Sequence, residues 1–122
     1  MLNLDTHILI AALEDELTTA EAKLLDTDRW GISAIVIWEI VKLSQKQRIG
    51  ITLDSTNLVE LLANLQIWPI TLNVCRATRS LDFAGDPADE LIAATSLVHG
   101  VPLITRDTRL LASKVVPLAA FR

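Results

Sequence analysis

Residues 85–107 read GDPADELIAATSLVHGVPLITRD, and the fold is decided here. Charged residues bracket a run, Leu91 to Thr105, that carries no formal charge. Asp86 before Pro87 marks a helix start, because an Asp side chain accepts an orphan amide bond and Pro is pre-set for the first helical position. The helix is predicted to run to about His99. Gly100 then suits the left-handed residue that ends it, and Val101 to Thr105 reads as a short buried strand. Asp89 falls three residues after the cap, where it suits the positive end of the helix and can complete a capping box, so it has a structural reading beside a functional one. Asp107, just past the strand, can simply start a turn.

Working back to the beginning, Met1 to Leu4 is a short apolar stretch, and Asp5 with Thr6 falls where it hands over to a helical pattern of Ile8, Leu9, Ala12 and Leu13. Asp5 therefore lies at the carboxyl end of a strand, the edge at which open α/β sheets bind ligands. It can equally cap the helix that follows. Thr18 to about Leu25 suggests a second helix whose charges form a solvated face. Trp30 to Ser33 suggests a second strand, with Ser33 capping a helix from Ala34 to about Lys46.

Glu39 lies in that helix between Ile35 and Leu43, its neighbours four residues either way, and so interrupts the most apolar face. A carboxylate there is costly unless paired or liganded. Either it meets Lys42 or Lys46 in an ion pair, or it serves a site. Beyond it, Arg48 to Asp54 is a polar break, Ser55 opens a helix carrying Leu58, Leu61, Leu62 and Leu65, and Ile67 to Thr71 is a third strand held at an edge by Pro69. Asn73 to Leu81 is a short helix, Leu110 to Ser113 a helical piece, and Val115 to Leu118 a last strand. Trp30, Trp38 and Trp68 form no periodic stripe and read as core or interface residues, not as base-stacking platforms.

Strands and helices alternate, which specifies an α/β fold with a mostly parallel sheet covered on both faces. The 122 residues read as one domain, 1–122, large enough for a core without disulfides. Hydrophobic residues make up 51% and mean hydropathy is +0.40, which hints at an oligomer or a bound partner. No uninterrupted apolar run is long enough for a membrane span. The opening MLNLDTH lacks a basic signal-peptide region, and the lone Cys75 suits a reducing compartment, so a cytoplasmic location is expected.

Residues 1–28 hold seven acids against one base, and the remainder eight acids against ten bases. This balance argues against broad electrostatic binding of nucleic acid, unless clustered acids hold metal and change the local sum. On the predicted frame Asp5, Asp89 and Asp107 meet at one sheet edge, and Glu39 reaches in from the helix after the second strand. Four carboxylates brought together repel one another unless a cation neutralises them. Oxygen ligands select Mg²⁺ or Mn²⁺, and with two His and one Cys a zinc centre is not expected. Setting the four aside leaves 11 acids against 11 bases. Lys42, Lys46, Arg48, Arg76, Arg79, Arg106 and Arg109 are then candidate phosphate contacts.

LDTHILI at the start, WEI at Trp38 to Ile40, DPADELIAATSLVHGVPLITRD and their order resemble PIN-domain proteins, specifically the VapC-type toxins of bacterial toxin–antitoxin pairs. The resemblance covers essentially the whole chain. It implies a three-layer α/β/α sandwich and a Mg²⁺- or Mn²⁺-dependent endoribonuclease with an RNA substrate. Asp5, Glu39 and Asp89 match the metal-site acids and Asp107 the fourth, more variable one. Thr6 and Thr105 match hydroxyl positions near the site, with Thr105 orienting a water or a carboxylate, and Asp86 is left as a cap. The resemblance further implies a homodimer and a cognate antitoxin that covers the active site. Glu90 stands where many relatives have Arg, so any contact assigned to that arginine does not carry over. The rival reading is a catalytically silent interaction module of the same fold. A phosphoacceptor signalling domain ranks below both, since the strand at Ile67 to Thr71 ends without an acceptor Asp.

Overall fold

The structure, a computed structural model, describes residues 1–51 and 54–120. Strand β1 (Leu2–Leu4) runs through Asp5 into α1 (Thr6–Leu13), α2 (Thr19–Leu25) precedes β2 (Trp30–Ser33), and α3 (Ala34–Gln45) follows that strand directly. Next come α4 (Thr56–Asn64), β3 (Gln66–Trp68) and α5 (Leu72–Ala77), the last continued by a 3-10 turn at Thr78–Ser80. The chain then forms α6 (Pro87–His99), β4 (Leu103–Ile104) and α7 (Thr108–Leu111).

The four strands make one parallel sheet in the order β3-β2-β1-β4. All three residues of β1 and both of β4 are buried. Successive strand side chains point to opposite faces, so this burial requires helices on both, which is the three-layer α/β/α arrangement. The chain leaves β1 toward β2 on one side, while β4 returns to the other side. The sheet therefore changes direction between β1 and β4, and a crevice opens beyond their carboxyl ends.

α6 fixes that crevice. Ile92, Ala93, Ala94, Thr95 and Ser96 are consecutive and buried, and their mostly small side chains let the helix settle among β1, β2, α3 and α5. Asn3 locks it in register: its Nδ2 donates to the Ile92 carbonyl at 3.0 Å and to Ser96 Oγ at 2.9 Å. Gly100 ends the helix at φ 62°, a left-handed conformation open to Gly. At the other edge Trp68 lies over Gly31, where an added Cβ would sit 2.5 Å from the indole, and stacks on His99 with ring centroids 5.3 Å apart.

Several boundaries differ from the sequence expectations. The third strand ends at Trp68 because Pro69 has no N–H to continue the ladder. The expected strand at Val115 to Leu118 is reduced to a single bridge, Leu103 to Leu118, in which Leu103 accepts from and donates to the passing chain. The last helix starts at Thr108, two residues early, because Asp107 caps it. In the polar break at Arg48 to Asp54, Thr52 and Leu53 lie outside the described residues. Among the described residues no helix is long and apolar enough to cross a membrane.

Candidate active site

Asp5 follows β1 directly, and the ladder places it: its amide donates to the Ile104 carbonyl at 3.0 Å. Its carboxylate is 5% exposed. One oxygen accepts from the Thr6 amide at 2.8 Å, capping α1, and the other accepts from Thr105 Oγ1 at 2.6 Å. Capping and a place at the strand end are thus compatible, because a carboxylate has lone pairs left over. Thr105 follows β4 and its hydroxyl in turn accepts from the Asp107 amide at 3.0 Å. This small network holds Asp5, Thr105 and Asp107 in one limb of the crevice.

Glu39 comes from α3, half-buried, and accepts a hydrogen bond from the Thr6 hydroxyl. It does not pair with Lys42 or Lys46. The Lys42 ammonium lies 3.4 Å from Gln45 Oε1 and 5.6 Å from the centre of the Trp38 ring. Burial pushes the Glu39 carboxyl above its ordinary range; the Thr6 bond opposes this and the Asp5 charge adds to it.

Asp89 opens α6. Its carboxyl is pushed up to about 6, first by burial and then by the charges of Asp5, Asp107, Glu39 and Asp86. The charges of four other carboxylates thus act on Asp89 beside its burial. Asp107 caps α7, accepting from the Arg109 and Leu110 amides at 2.8 and 3.3 Å.

Asp86 corrects the sequence reading. It occupies the cap position of α6, but its exposed side chain makes no capping bond, so the capping box with Asp89 does not form. The carboxylate is instead one of the charges felt by Glu39 and Asp89.

A second correction concerns Glu21 and Arg106. The charges of α2 do not all face solvent: Glu21 is 4% exposed and receives the Arg106 guanidinium in a two-pronged contact, Nε to Oε2 at 2.7 Å and Nη2 to Oε1 at 2.6 Å. The Arg106 bonds hold the Glu21 carboxyl down to about 2. Arg106 also donates to the Glu16 carbonyl at 3.1 Å, so it ties α2 to the limb carrying Thr105 and Asp107 and is not a free phosphate contact. Arg109 donates to the Ala84 carbonyl at 3.0 Å. Only the T-x-x-E spacing of Thr18 and Glu21, which makes the capping box seen here, hinted that Glu21 was held.

Two clefts flank the acids. One, about 320 Å³, runs along Asp5, His7, Ile10, Glu16, Arg106 and Asp107. The other, about 550 Å³, is bordered by Glu39 and Asp86 and otherwise lined by Ala34, Ile35, Trp38, Ile70, Pro87 and Ala88. Trp38 is 54% exposed, not a core residue. Among the described residues no three His, Cys, Asp or Glu side chains are grouped closely enough to hold a metal ion as they stand, and neither Asp5, Glu39, Asp89 nor Asp107 has a salt-bridge partner. Burial and neighbouring carboxylates thus raise the pKa of Glu39 and Asp89. By its chemistry, an all-oxygen donor set of this kind fits a hard divalent ion.

A PIN-domain profile matches residues 3–115. Ribonuclease VapC22 of Mycobacterium tuberculosis is 32% identical over 113 residues, covering 88% of this chain and 87% of that protein. Among solved structures, VapBC2 from Rickettsia felis bound to a DNA fragment from its promoter aligns over 100% of both chains with a TM-score of 0.74 and 17% identity. A toxin–antitoxin complex from Klebsiella pneumoniae aligns over 92% of this chain and 91% of that one, with a TM-score of 0.69 and 21% identity. At those identities the two structures speak to the fold alone.

Proposed function

This chain belongs to the PIN-domain family, and on that premise we propose that residues 1–122 form one divalent-metal-dependent endoribonuclease domain, the toxin of a toxin–antitoxin pair. The observation that carries the reading is the convergence of Asp5, Glu39, Asp89 and Asp107 from four separate elements, with no salt bridge to any of them among the described residues. The likeness to a protein named as a ribonuclease, VapC22, supports the substrate and the role. A silent interaction module has no use for four such acids, whose gathering is destabilising without an ion.

Asp5, Glu39, Asp89 and Asp107 would hold Mg²⁺ or Mn²⁺, which supplies a Lewis acid for the phosphate and lowers the pKa of a bound water. The chain's own contribution is orientation. Thr105 holds one Asp5 oxygen and the Thr6 amide the other, so that carboxylate presents its remaining lone pairs in one direction. Thr6 does the same for Glu39. The net reaction is hydrolysis: water oxygen bonds to phosphorus, one bridging P–O bond breaks, and the water proton goes to the departing ribose oxygen. In this reading the protein is a homodimer that a cognate antitoxin silences by covering the acids.

The test is to purify the chain free of any partner, titrate Mn²⁺ and Mg²⁺ by calorimetry for wild type, Asp5→Asn and Asp89→Asn, and incubate each with total RNA. Binding in the millimolar range or tighter that both substitutions abolish, with cleavage lost in parallel, is the expected result. A wild type that binds no ion, or variants that cut equally well, would refute the proposal and leave the silent module.

A further inference from the structure

The cleft on the Glu39 side has a construction that hydrolysis alone does not explain. Trp38 precedes Glu39 on α3 and leaves 54% of its surface in water beside a groove of about 550 Å³, a volume in the range of small-ligand sites. The other two tryptophans are committed: Trp30 donates its Nε1–H to the Leu25 carbonyl at 2.8 Å, and Trp68 is buried over Gly31. Trp38 alone presents an indole at the edge of the acids. One helical turn further on, Lys42 places its ammonium 5.6 Å from the Trp38 ring centre, and that ammonium has no carboxylate partner among the described residues. Acids, an apolar shelf and a cation therefore follow one another along one side of α3.

Resting on the reading of the site as a ribonuclease, and reversing the sequence reading of Trp38 as a core or interface residue, we propose that Trp38 is the stacking shelf for the nucleobase next to the scissile phosphate, with Lys42 meeting the following phosphate. The spacing of chemistries favours this occupant. A strand whose phosphate lies at Glu39 and its fellow acids has two clefts to follow; along the one that Glu39 and Asp86 border it offers a flat π-face to the indole. An apolar peptide laid on Trp38 would instead desolvate the Lys42 ammonium without supplying a negative charge. Stacking tolerates any base, because each has a π-face, so the shelf sets position more than sequence.

The experiment uses an RNA oligonucleotide spanning a cleavage site that the wild-type protein makes in total RNA. Trp38→Ala is expected to raise KM by about tenfold and to leave kcat within about twofold, the signature of lost uniform binding, while Trp38→Phe retains most of the affinity. Mn²⁺ affinity by calorimetry is expected to be unchanged in both. Independently of any folding effect, an abasic nucleotide placed beside the scissile phosphate is expected to penalise wild type by the same factor and to cost Trp38→Ala little more. Equal KM for wild type and Trp38→Ala, or an abasic series with no sensitive position, overturns the shelf while leaving the nuclease standing. A substitution that spares RNA cleavage but dissolves a dimer in sedimentation, or releases a co-purifying protein, assigns the groove to that occupant and overturns it too. A wild type that cuts no RNA fails the parent reading itself.

Discussion

Replacing Glu21 by Gln removes the buried charge of a half-exposed ion pair while keeping shape, and the structure indicates both the size and the pH range of the effect. The carboxyl is 4% exposed and is held at about 2 against an ordinary 4.5. At about 1.4 kcal/mol per pH unit the full displacement corresponds to roughly 3 kcal/mol. The Arg106 side chain is 42% exposed, so water screens the pair and about 1–2 kcal/mol is the expected loss. For a domain of this size that lowers Tm by roughly 4–8 °C. The sign follows from a folded-state pKa below the unfolded one: the stabilisation is complete above 4.5 and disappears as pH falls through about 2. Urea denaturation of wild type and Glu21→Gln, followed by circular dichroism from about pH 7 down to about pH 3, reads the difference. A constant gap between the two proteins below 4.5, or no gap at neutral pH, would refute the reasoning.

Thr105→Val keeps the volume but removes the hydroxyl that donates to Asp5; Mn²⁺ affinity is expected to fall by about tenfold with Tm little changed, as for the loss of an orienting partner in other metal sites. Calorimetry showing affinity within twofold of wild type would mean that Asp5 needs no such orientation. Gly31→Ala drives a Cβ to within 2.5 Å of the Trp68 ring, and urea denaturation should show a loss of about 1–3 kcal/mol as the indole is forced off its stack with His99. Asn3→Leu leaves the Ser96 hydroxyl without its donor but also removes a buried Asn3 Oδ1 that has no partner among the described residues. The opposing effects give an expected stability within about 1 kcal/mol of wild type, together with Mn²⁺ binding weakened by a shift of α6, so a large stability loss with intact metal affinity would contradict the register role.

The frame of the site was legible because it rests on local signals. Pro87 and Gly100 bound α6, the apolar run after Gly100 becomes β4, and each of Asp5 and Asp107 sits at a strand end that periodicity can locate. What escaped depends on contacts that close over long stretches of chain. Glu21 and Arg106 are 85 residues apart, and nothing in the local pattern of α2 says that one of its charges turns inward. Glu39 interrupts the apolar face of α3, yet periodicity alone does not say how far the residues beside it are covered: Ile40 is 1% exposed and Trp38 is 54% exposed. The failure of Asp86 to cap has a similar origin. A side chain that could fold back onto the helix end lies among other carboxylates, and only the assembled crevice shows it.

The bond between Thr105 and Asp5 joins groups 100 residues apart, and β1 gains one of its two neighbours only when β4 arrives. Synthesis proceeds from the amino end at about 5–20 residues per second, so Asp5 waits roughly 5–20 s for the hydroxyl that orients it. During that interval the growing chain holds its first acid without its last. If these acids form the proposed site, a chain built in this order completes it only when translation of the domain is nearly finished.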